Sequence, residues 1–511
     1  MSMRERHGPD GGGELAAPAR LLAEGRAAEA MMAVEMAIAR RPDDRKATAL
    51  RQAIMATVEA MDPGLAMLDL TAALHPDRPE AHYQLGHGYV RFDRPADAER
   101  CFKRALELEP QSAEIHASLA ALYLGAGVAA GAEHHARRAL EIEGGHAVAS
   151  QTLASVLEAR GERQAAQALL DQAYRRKSLF LEPAQDPQLR VLVLSTVGAG
   201  NVPYRYVMPS QSYTRLVWYM EYAREAQTPA PDQYDLVFNA IGDADLAEPS
   251  TDAVARFVAD CPKPVLNLPD QVMRTRRDRI PALLGDLPDV LAPEAVRLDA
   301  ALLEREGFEV LARTRGVEAP VLVRPIGSHG GQGLALAADA RALAQLKPAA
   351  GLDYYLTRYV DSRAADGLYR KYRVLFVDRE PYPYHLAICD HWLVHYDSSG
   401  MGDFAERRAE EARYLADPEA AIGARAAAAV RAIGQALDLD YCGMDFGVLP
   451  DGRLLVFEAN PTMLAHPEDP AGPFAYKNPF VAAITDAFQA HLGRLVSVSV
   501  ATPQPRWSIG V

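Results

Sequence analysis

The densest group of residues able to do chemistry lies in GMDFGVLPDGRLLVFEAN, residues 443–460. Two apolar-rich strands flank a turn around Pro450, Asp451 and Gly452, which is a hairpin pattern. A two- or four-residue loop places Asp445, Glu458 and Asn460 on one face of the antiparallel pair, with Gly443 leaving room beside them. Two carboxylates and an amide oxygen on one patch repel each other unless a cation lies between them, and such hard oxygens are the ligands magnesium prefers. Magnesium held by few protein oxygens completes its shell with waters and nucleotide phosphates, so the patch predicts Mg-ATP as a ligand. A polar hairpin face open to solvent is the plainer alternative. It is disfavoured because Glu458 and Asn460 follow directly on the apolar run 454–457, where free surface charge is least expected.

Two further segments carry phosphate-binding chemistry. In VLVRPIGSHGGQG, residues 321–333, a hydrophobic strand ends at Arg324 and the loop behind it holds Gly327, Ser328, His329, Gly330, Gly331 and Gly333. Glycines let backbone amides close over phosphate oxygens without obstruction by side chains. In LYRKYRVLFVDREPYPYHLAI, residues 368–388, Lys371 and Arg373 lie two apart in a strand, share a face and form a pair of cations suited to phosphate. An ordinary turn and an exposed basic edge strand are the plain readings of these two segments. The cation at the strand end and the aliphatic run after Arg373 favour the functional ones. The stretch 385–396 gathers His385, Cys389, His391 and His395, but the spacing matches no standard zinc set. Its three histidines have equal parity in an expected strand and, with Asp390, are expected to wall the substrate side. DSSGMG, residues 397–402, is expected to be a mobile loop over the site.

In this order the elements resemble the ATP-grasp superfamily, in particular the branch containing glutathione synthetase, D-alanine ligase and the ribosomal-protein glutamate ligases. The resemblance covers about residues 189–495. It implies a small α/β domain leading into two α+β subdomains that clamp ATP. It also implies that Asp445, Glu458 and Asn460 hold two magnesium ions, that 327–333 is the phosphate lid, and that Arg373 meets the transferred phosphoryl group beside Arg324 and Lys371. The segment YYLTRYV, residues 354–360, looks like the strand-to-hinge piece that holds adenine through backbone groups, here at Arg358, Tyr359 and Val360. This chain has Arg324 and Arg279 where the family has lysines, and arginine keeps the charge with a different geometry. It has Arg358 where the family's hinge is acidic, which leaves Asp361 or Asp366 for the ribose. The chemistry implied is attack of a carboxylate on the γ-phosphate of ATP, giving an acylphosphate from which an amine displaces phosphate.

The elements that must position these groups are legible from pattern. The proline-bearing stretch 181–188 ends a helical region, and LRVLVL, residues 189–194, is a buried parallel strand followed by the turn GAGN. That turn is too short for a dinucleotide fingerprint. Further strands are expected at 234–240 and 264–268, which makes residues 189–288 a small open parallel sheet with helices. Residues 289–495 are expected to form the α+β catalytic unit, with a helix over 293–306 ended by Gly307 and helices near 407–415 and 419–437. Residues 1–10 and 496–511 are expected to be a disordered N-terminus and a C-terminal tail.

Ahead of this lies an internal repeat. Ala37, Thr71, Ala105, Ala139 and Ala173 recur every 34 residues, and Leu85, Leu119 and Leu153, then Gly86, Ala120 and Ala154, and Pro42, Pro76 and Pro110 keep the same step. Paired helices with a small residue at their crossing resemble the tetratricopeptide repeat over roughly residues 11–180. Such pairs stack into an all-α superhelix whose concave face is expected to take a peptide, protein or partner subunit. Packing or dimerisation alone is the alternative.

At 511 residues two to four domains are expected. No run approaches the ~18 apolar residues of a membrane span, and the start of the chain lacks a secretory pattern, so a cytoplasmic protein without membrane contact is expected. Four scattered cysteines fit reduced thiols, and a formal charge of -14 argues against wrapping nucleic acid. The expected activity is therefore Mg-ATP-dependent carboxylate–amine ligation with a recruiting arm. The alternatives are a non-catalytic ATP-binding adaptor, or a kinase that stops at a phosphorylated product.

Overall fold

The computed structural model describes residues 15–501, apart from 43, 60, 61, 93, 185, 329, 330 and 397. It divides into two compact units, Met1–Lys177 and Ser178–Val511. The expected disordered start, residues 1–10, lies outside the described residues. So do residues 502–511 of the expected tail, whereas the helix Asn478–Ala501 continues through 496–501.

The N-terminal unit is five helical hairpins, α1 (Ala16–Ala23) with α2 (Ala27–Arg40), α3 (Arg45–Glu59) with α4 (Pro63–Leu74), α5 (Pro79–Arg91) with α6 (Pro95–Leu108), α7 (Ala113–Gly125) with α8 (Ala129–Ile142), and α9 (Ala147–Ala159) with α10 (Arg163–Arg176). The 34-residue column sits on the second helix of each pair, where Ala105, Ala139 and Ala173 are fully buried. Gly86 shows why small residues recur, since a Cβ there would come 2.5 Å from the Phe102 ring, so α5 and α6 approach only because it is absent. The inter-helix turns carry a further column at the same step. Arg26, Arg94, Val128 and Glu162 each donate a backbone bond to the carbonyl five residues earlier.

The C-terminal unit holds three sheets. The first is built from β1 (Leu179–Glu182), β2 (Leu189–Ser195), β3 (Tyr213–Tyr219), β4 (Leu236–Asn239) and β5 (Val265–Leu266), in the order β1-β3-β2-β4-β5. Only β1 is antiparallel to its neighbour, and the rest run parallel. The strand β1 runs into the start of the proline-bearing stretch, so the sheet begins earlier than the expected boundary at 189. A short strand β6 (Val290–Leu291) then leads into the second sheet. This comprises β7 (Ala295–Leu298), β8 (Val321–Pro325), β9 (Ala335–Ala337) and β10 (Tyr354–Arg358), all antiparallel in the order β7-β10-β8-β9. The third comprises β11 (Tyr369–Val377), β12 (Glu380–Cys389), β13 (Tyr441–Val448) and β14 (Leu454–Asn460) with β6 at its edge, in the order β12-β11-β13-β14-β6.

The expected helix over 293–306 is corrected. Residues 295–298 are strand β7, and the helix Ala300–Thr314 starts after Asp299, whose carboxylate accepts from the amides of Ala301 and Leu302. An Asp cap satisfies two orphan amides, so it overrides the proline cue at 293. Gly307 is non-helical at φ 77° and divides this span into two helical stretches, so the first ends there as expected.

Alternation along β11 and β13 sorts the third sheet. Tyr372, Val374, Phe376, Cys442, Met444 and Phe446 enter one core with the helices Ala405–Ala416 and Ala424–Leu437. Leu375, Val377 and Tyr441 enter another, shared with the first sheet and the helix Asn478–Ala501. Lys371, Arg373 and Asp445 have the parity of this second set and lie beyond its apolar end.

Candidate active site

The hairpin β13–β14 brings Asp445 opposite Glu458 and Gly443 opposite Asn460. All three candidate ligands share a face as expected, but by another route. Val448 pairs with Leu454, a register that on its own would set Asp445 against Phe457 and turn Glu458 away. An irregularity between Asp445 and Phe446 inserts one extra residue in β14 and restores the pairing. Gly443 does not leave open room, because a Cβ there would meet the Met463 side chain at 2.6 Å.

Register extends the site into one row across four strands, His385 of β12, Arg373 of β11, Asp445 of β13 and Glu458 of β14. Arg373 holds Asp445 with both arms, Nε to Oδ1 at 2.6 Å and Nη2 to Oδ2 at 2.9 Å, and Lys371 Nζ lies 3.1 Å from Oδ2. Burial raises the Asp445 carboxyl, but Arg373 and Lys371 outweigh it and hold it well below the usual carboxylate range. Glu458 Oε2 lies 3.1 Å from Arg277 and 3.4 Å from Arg324, which against the opposing effect of burial bring its carboxyl down to about 2. Asn460 donates through Nδ2 to Glu458 Oε1 at 2.8 Å and accepts at Oδ1 from Thr462.

Arg324 also fixes the glycine-bearing turn, donating to the Ser328 carbonyl at 2.8 Å. Gly327, Gly331 and Gly333 all have positive φ, a backbone that side-chained residues rarely adopt. His329 and Gly330 lie outside the described residues. Arg324 and Glu458 separate two adjoining cavities. The larger, about 200 Å3, is lined by the hinge residues Arg358, Tyr359 and Val360, by Lys371, Arg373 and Asp445, and by Gly331 and Trp392. The smaller, about 70 Å3, is lined by Gly327, Ser328, Asn460, Asp243, Asp245 and Arg276.

Several expected residues are placed differently. Arg279 is exposed, donates to the Met273 carbonyl and lines neither cavity. Arg277, two residues earlier, reaches both Glu458 and the Phe457 carbonyl. The basic run RTRRDR signals cations here, but an irregular turn has no period from which to tell which arginine points inward. The amides of Arg358 and Tyr359, two of the expected hinge positions, are already bonded to the carbonyls of Glu294 and Pro320. Asp361 accepts from the Arg363 amide and does not line the cavity, and Asp366 pairs with Arg370. Strand β12 ends at Cys389, so His391 and His395 lie in a loop and only His385 keeps the expected strand position. Residues 398–402 are pinned rather than loose, with Ser399 and Met401 buried, while Asp397 lies outside the described residues.

All four cysteines are free. Asp378, Asp440 and His491 bring ligand atoms within 4.8 Å of one another, but Arg379 pairs with both carboxylates and Arg494 with Asp378, which makes the cluster a balanced brace. No helix among the described residues is long and apolar enough to cross a membrane.

In the N-terminal unit a groove of about 440 Å3 lies along α5 and α7, with His87, Glu114, Ser118 and Val148 on its wall. Residues 79–122 match the tetratricopeptide repeat family. No curated protein matches the chain. Among solved structures it is similar to MamA, at 19% identity over 31% of this chain and 94% of that one with a TM-score of 0.22. It is also similar to a thermophilic TPR protein of Thermus thermophilus, at 21% identity over 32% of this chain and 90% of that one with a TM-score of 0.22. YrrB, described as a TPR protein with an unusual peptide-binding site, is 19% identical over 33% of this chain and 87% of that one, with a TM-score of 0.21. The N-terminal unit of this chain carries tetratricopeptide repeats and is followed by a mixed α/β unit.

Proposed function

We propose that the chain is a Mg-ATP-dependent carboxylate–amine ligase of ATP-grasp type whose repeat arm recruits a peptide or protein partner. The observation that carries this reading is the placement of Asp445, Glu458 and Asn460 on one face, in register with Arg373 and beside a cavity bordered by the glycine turn. The donor set fits magnesium by its chemistry, because both carboxylates stay ionised, and Asn460 would add a neutral oxygen on giving up its bonds from Thr462. When bound, the metal supplies charge neutralisation at the phosphates.

This chain's own residues do the rest. Arg373, Lys371, Arg324 and Arg277 surround the two carboxylates and are the cations that would meet a transferring phosphoryl group. A carboxylate is already a nucleophile, so the first step needs positioning rather than a general base. Its oxygen attacks the γ-phosphorus, the bond to the β–γ bridging oxygen breaks, and ADP leaves with that electron pair. An amine then attacks the acyl carbon, phosphate leaves with the carbon–oxygen pair, and the amine proton passes to water. The repeat arm's match to its family supports the recruiting role.

A second reading is favoured by the same ion pairs. With Asp445 and Glu458 each already balanced by two cations, the fold is also suited to an adaptor that binds nucleotide without turning it over. Calorimetry of ATP binding with and without magnesium, together with ADP release over pools of amino acids and peptides, decides between them. The ligase reading expects Mg-dependent binding, ADP release that needs a carboxylate, an acylphosphate trapped by hydroxylamine, and loss of turnover in Asp445→Ala. Turnover that survives Asp445→Ala would remove the site assignment.

A further inference from the structure

We propose that the larger cavity holds its nucleobase by stacking on Trp392 rather than by reading the base's edge, so that it takes GTP nearly as well as ATP; this rests on the nucleotide reading of that cavity. The strands give the cavity a direction. In the register of β10 on β8, Tyr355 lies opposite Arg324 and Thr357 opposite Leu322. The alternate residues Val321, Val323, Tyr354 and Leu356 enter the core beneath. Leu322, Arg324 and Thr357 therefore share the other face, and all three line the cavity. Arg324 stands at the charged end, 3.4 Å from Glu458. Pairing runs on past both strands, with the Tyr359 amide donating to the Pro320 carbonyl. Tyr359 is thus four residues from the Arg324 row, about 13 Å of extended chain. Phosphates seated at the cations leave the base at this far end, which is lined by Leu322, Tyr359 and Trp392.

What that end offers a base is chiefly rings and aliphatic carbon. The Tyr359 and Trp392 rings meet edge to face, with centroids 6.1 Å apart. Trp392 lines the cavity while only half-buried, so part of its indole is open to a ligand. Of the three amides at 358–360, two are spent on the carbonyls of Glu294 and Pro320. Arg358 has the parity of Tyr354 and Leu356, on the face turned from the cavity, so its guanidinium is not aimed at a base. Recognition then falls on the faces of the base, which adenine and guanine have in common.

The loop behind β12 fixes Trp392 in place. The Cys389 thiol donates to the His391 carbonyl at 3.1 Å, and the Leu393 amide donates to His391 Nδ1 at 3.1 Å. Val394 is buried in a cluster with Tyr369 and Ala387. Leu393 packs on the glycine-bearing turn, where a Cβ at Gly331 would come 3.3 Å from it, so two walls of the cavity touch. A ring held this way loses little freedom when a base stacks on it.

The test uses the full chain with magnesium. Calorimetry with ATP and with inorganic tripolyphosphate comes first, and no binding of either overturns the nucleotide reading itself. In the parent chain ATP and GTP should bind within about tenfold of each other. Trp392→Ala should weaken both by about fivefold or more and leave tripolyphosphate within about twofold, and Trp392→Phe should recover most of the loss. A merely structural role for the ring would weaken all three ligands together. Energy transfer from tryptophan to an N-methylanthraniloyl derivative of ATP serves if Trp392→Ala fails to fold. It should fall far more in Trp392→Phe than in Trp218→Phe, Trp218 being buried in the first sheet. A smaller loss of ATP affinity in Trp392→Ala, an equal loss of tripolyphosphate, a preference for ATP over GTP beyond about tenfold, or transfer untouched by Trp392→Phe would overturn the proposal.

Discussion

The two units of this chain bury different things. In the repeats the core is alanine, leucine and single aromatic rings. Among the described residues its buried Asp, Glu, Lys, Arg and His side chains are Asp69, which accepts one backbone amide and whose carboxyl burial raises, and the histidines His82, His116 and His146. In the C-terminal unit Arg215, Glu411, Asp440, Asp445, Lys477 and His491 are all buried, and each has opposite charges or hydroxyls around it, for all but Lys477 from distant parts of the sequence. The first kind of interior follows from a repeated local unit that packs on its neighbours. The second depends on strands far apart in sequence meeting in register, and buried charge that loses its partner is costly. The repeats are thus the simpler part to specify and the C-terminal unit the part where single changes matter most.

That contrast can be broken in order of expected effect. Asp445→Ala leaves Arg373 and Lys371 facing each other without their carboxylate, and should cost about 3–5 kcal/mol of stability in the C-terminal unit. The chain has 3 tryptophans, none in the repeats; Trp218 and Trp392 are in that unit and Trp507 lies outside the described residues, so denaturation followed by tryptophan fluorescence reads it apart from the repeats. A loss below about 1 kcal/mol would show that the ion pairs are not the brace described here.

Acid should separate the units next. In the repeats, burial lowers His87 and His116, and lowers His135 to about 4. A histidine with a depressed folded pKa takes its proton more readily when unfolded, so its contribution is present above about pH 6.5 and is lost as pH falls toward the folded value. For His135 that loss is complete near pH 4. The C-terminal unit shares this window through His385, also lowered by burial, and although Glu99 and Glu114 of the repeats are lowered too, the most strongly lowered carboxyls are its own Glu458 and Asp445. Glu458 and Asp445 stabilise above the unfolded carboxylate range of about pH 4, and that contribution falls as pH drops toward about 2 for Glu458 and further for Asp445. Far-UV circular dichroism and tryptophan fluorescence, recorded together from pH 7 to pH 2, should show the fluorescence transition continuing below pH 4. Coincident transitions ending near pH 4 would erase the contrast.

Within the repeats, Gly86→Ala pushes a Cβ into the Phe102 ring and should cost about 1–3 kcal/mol. Gly125→Ala, at the end of α7 with no atom within 4 Å of its Cβ, should be neutral or stabilising by up to about 1 kcal/mol. Thermal unfolding of the two variants side by side checks this, and equal effects would mean the small-residue column is not set by helix approach.

Much of the repeat arm is legible in the sequence because its rule is local. One 34-residue step places the small residues, and nothing beyond the next helix has to be known. The shared face of Asp445, Glu458 and Asn460 is legible for a related reason, since the three lie within one hairpin and face parity follows from strand period. Even there the loop alone does not give the parity, which one inserted residue in β14 supplies instead. Arg277 in place of Arg279, the strand at 295–298, and the loop positions of His391 and His395 are not legible, because each depends on a partner strand or turn that pattern does not name.

By itself, the sequence determined the repeat and its register, and the succession of a helical arm, a mostly parallel sheet and antiparallel strands. Tertiary structure alone decided that His385, Arg373, Asp445 and Glu458 form one row across four strands, and that Arg276, Asp243 and Asp245 wall a separate cavity beside it. The reason is physical. A periodic pattern records which face of an element is apolar, whereas the partner that balances a buried charge is fixed only when distant strands settle into one register.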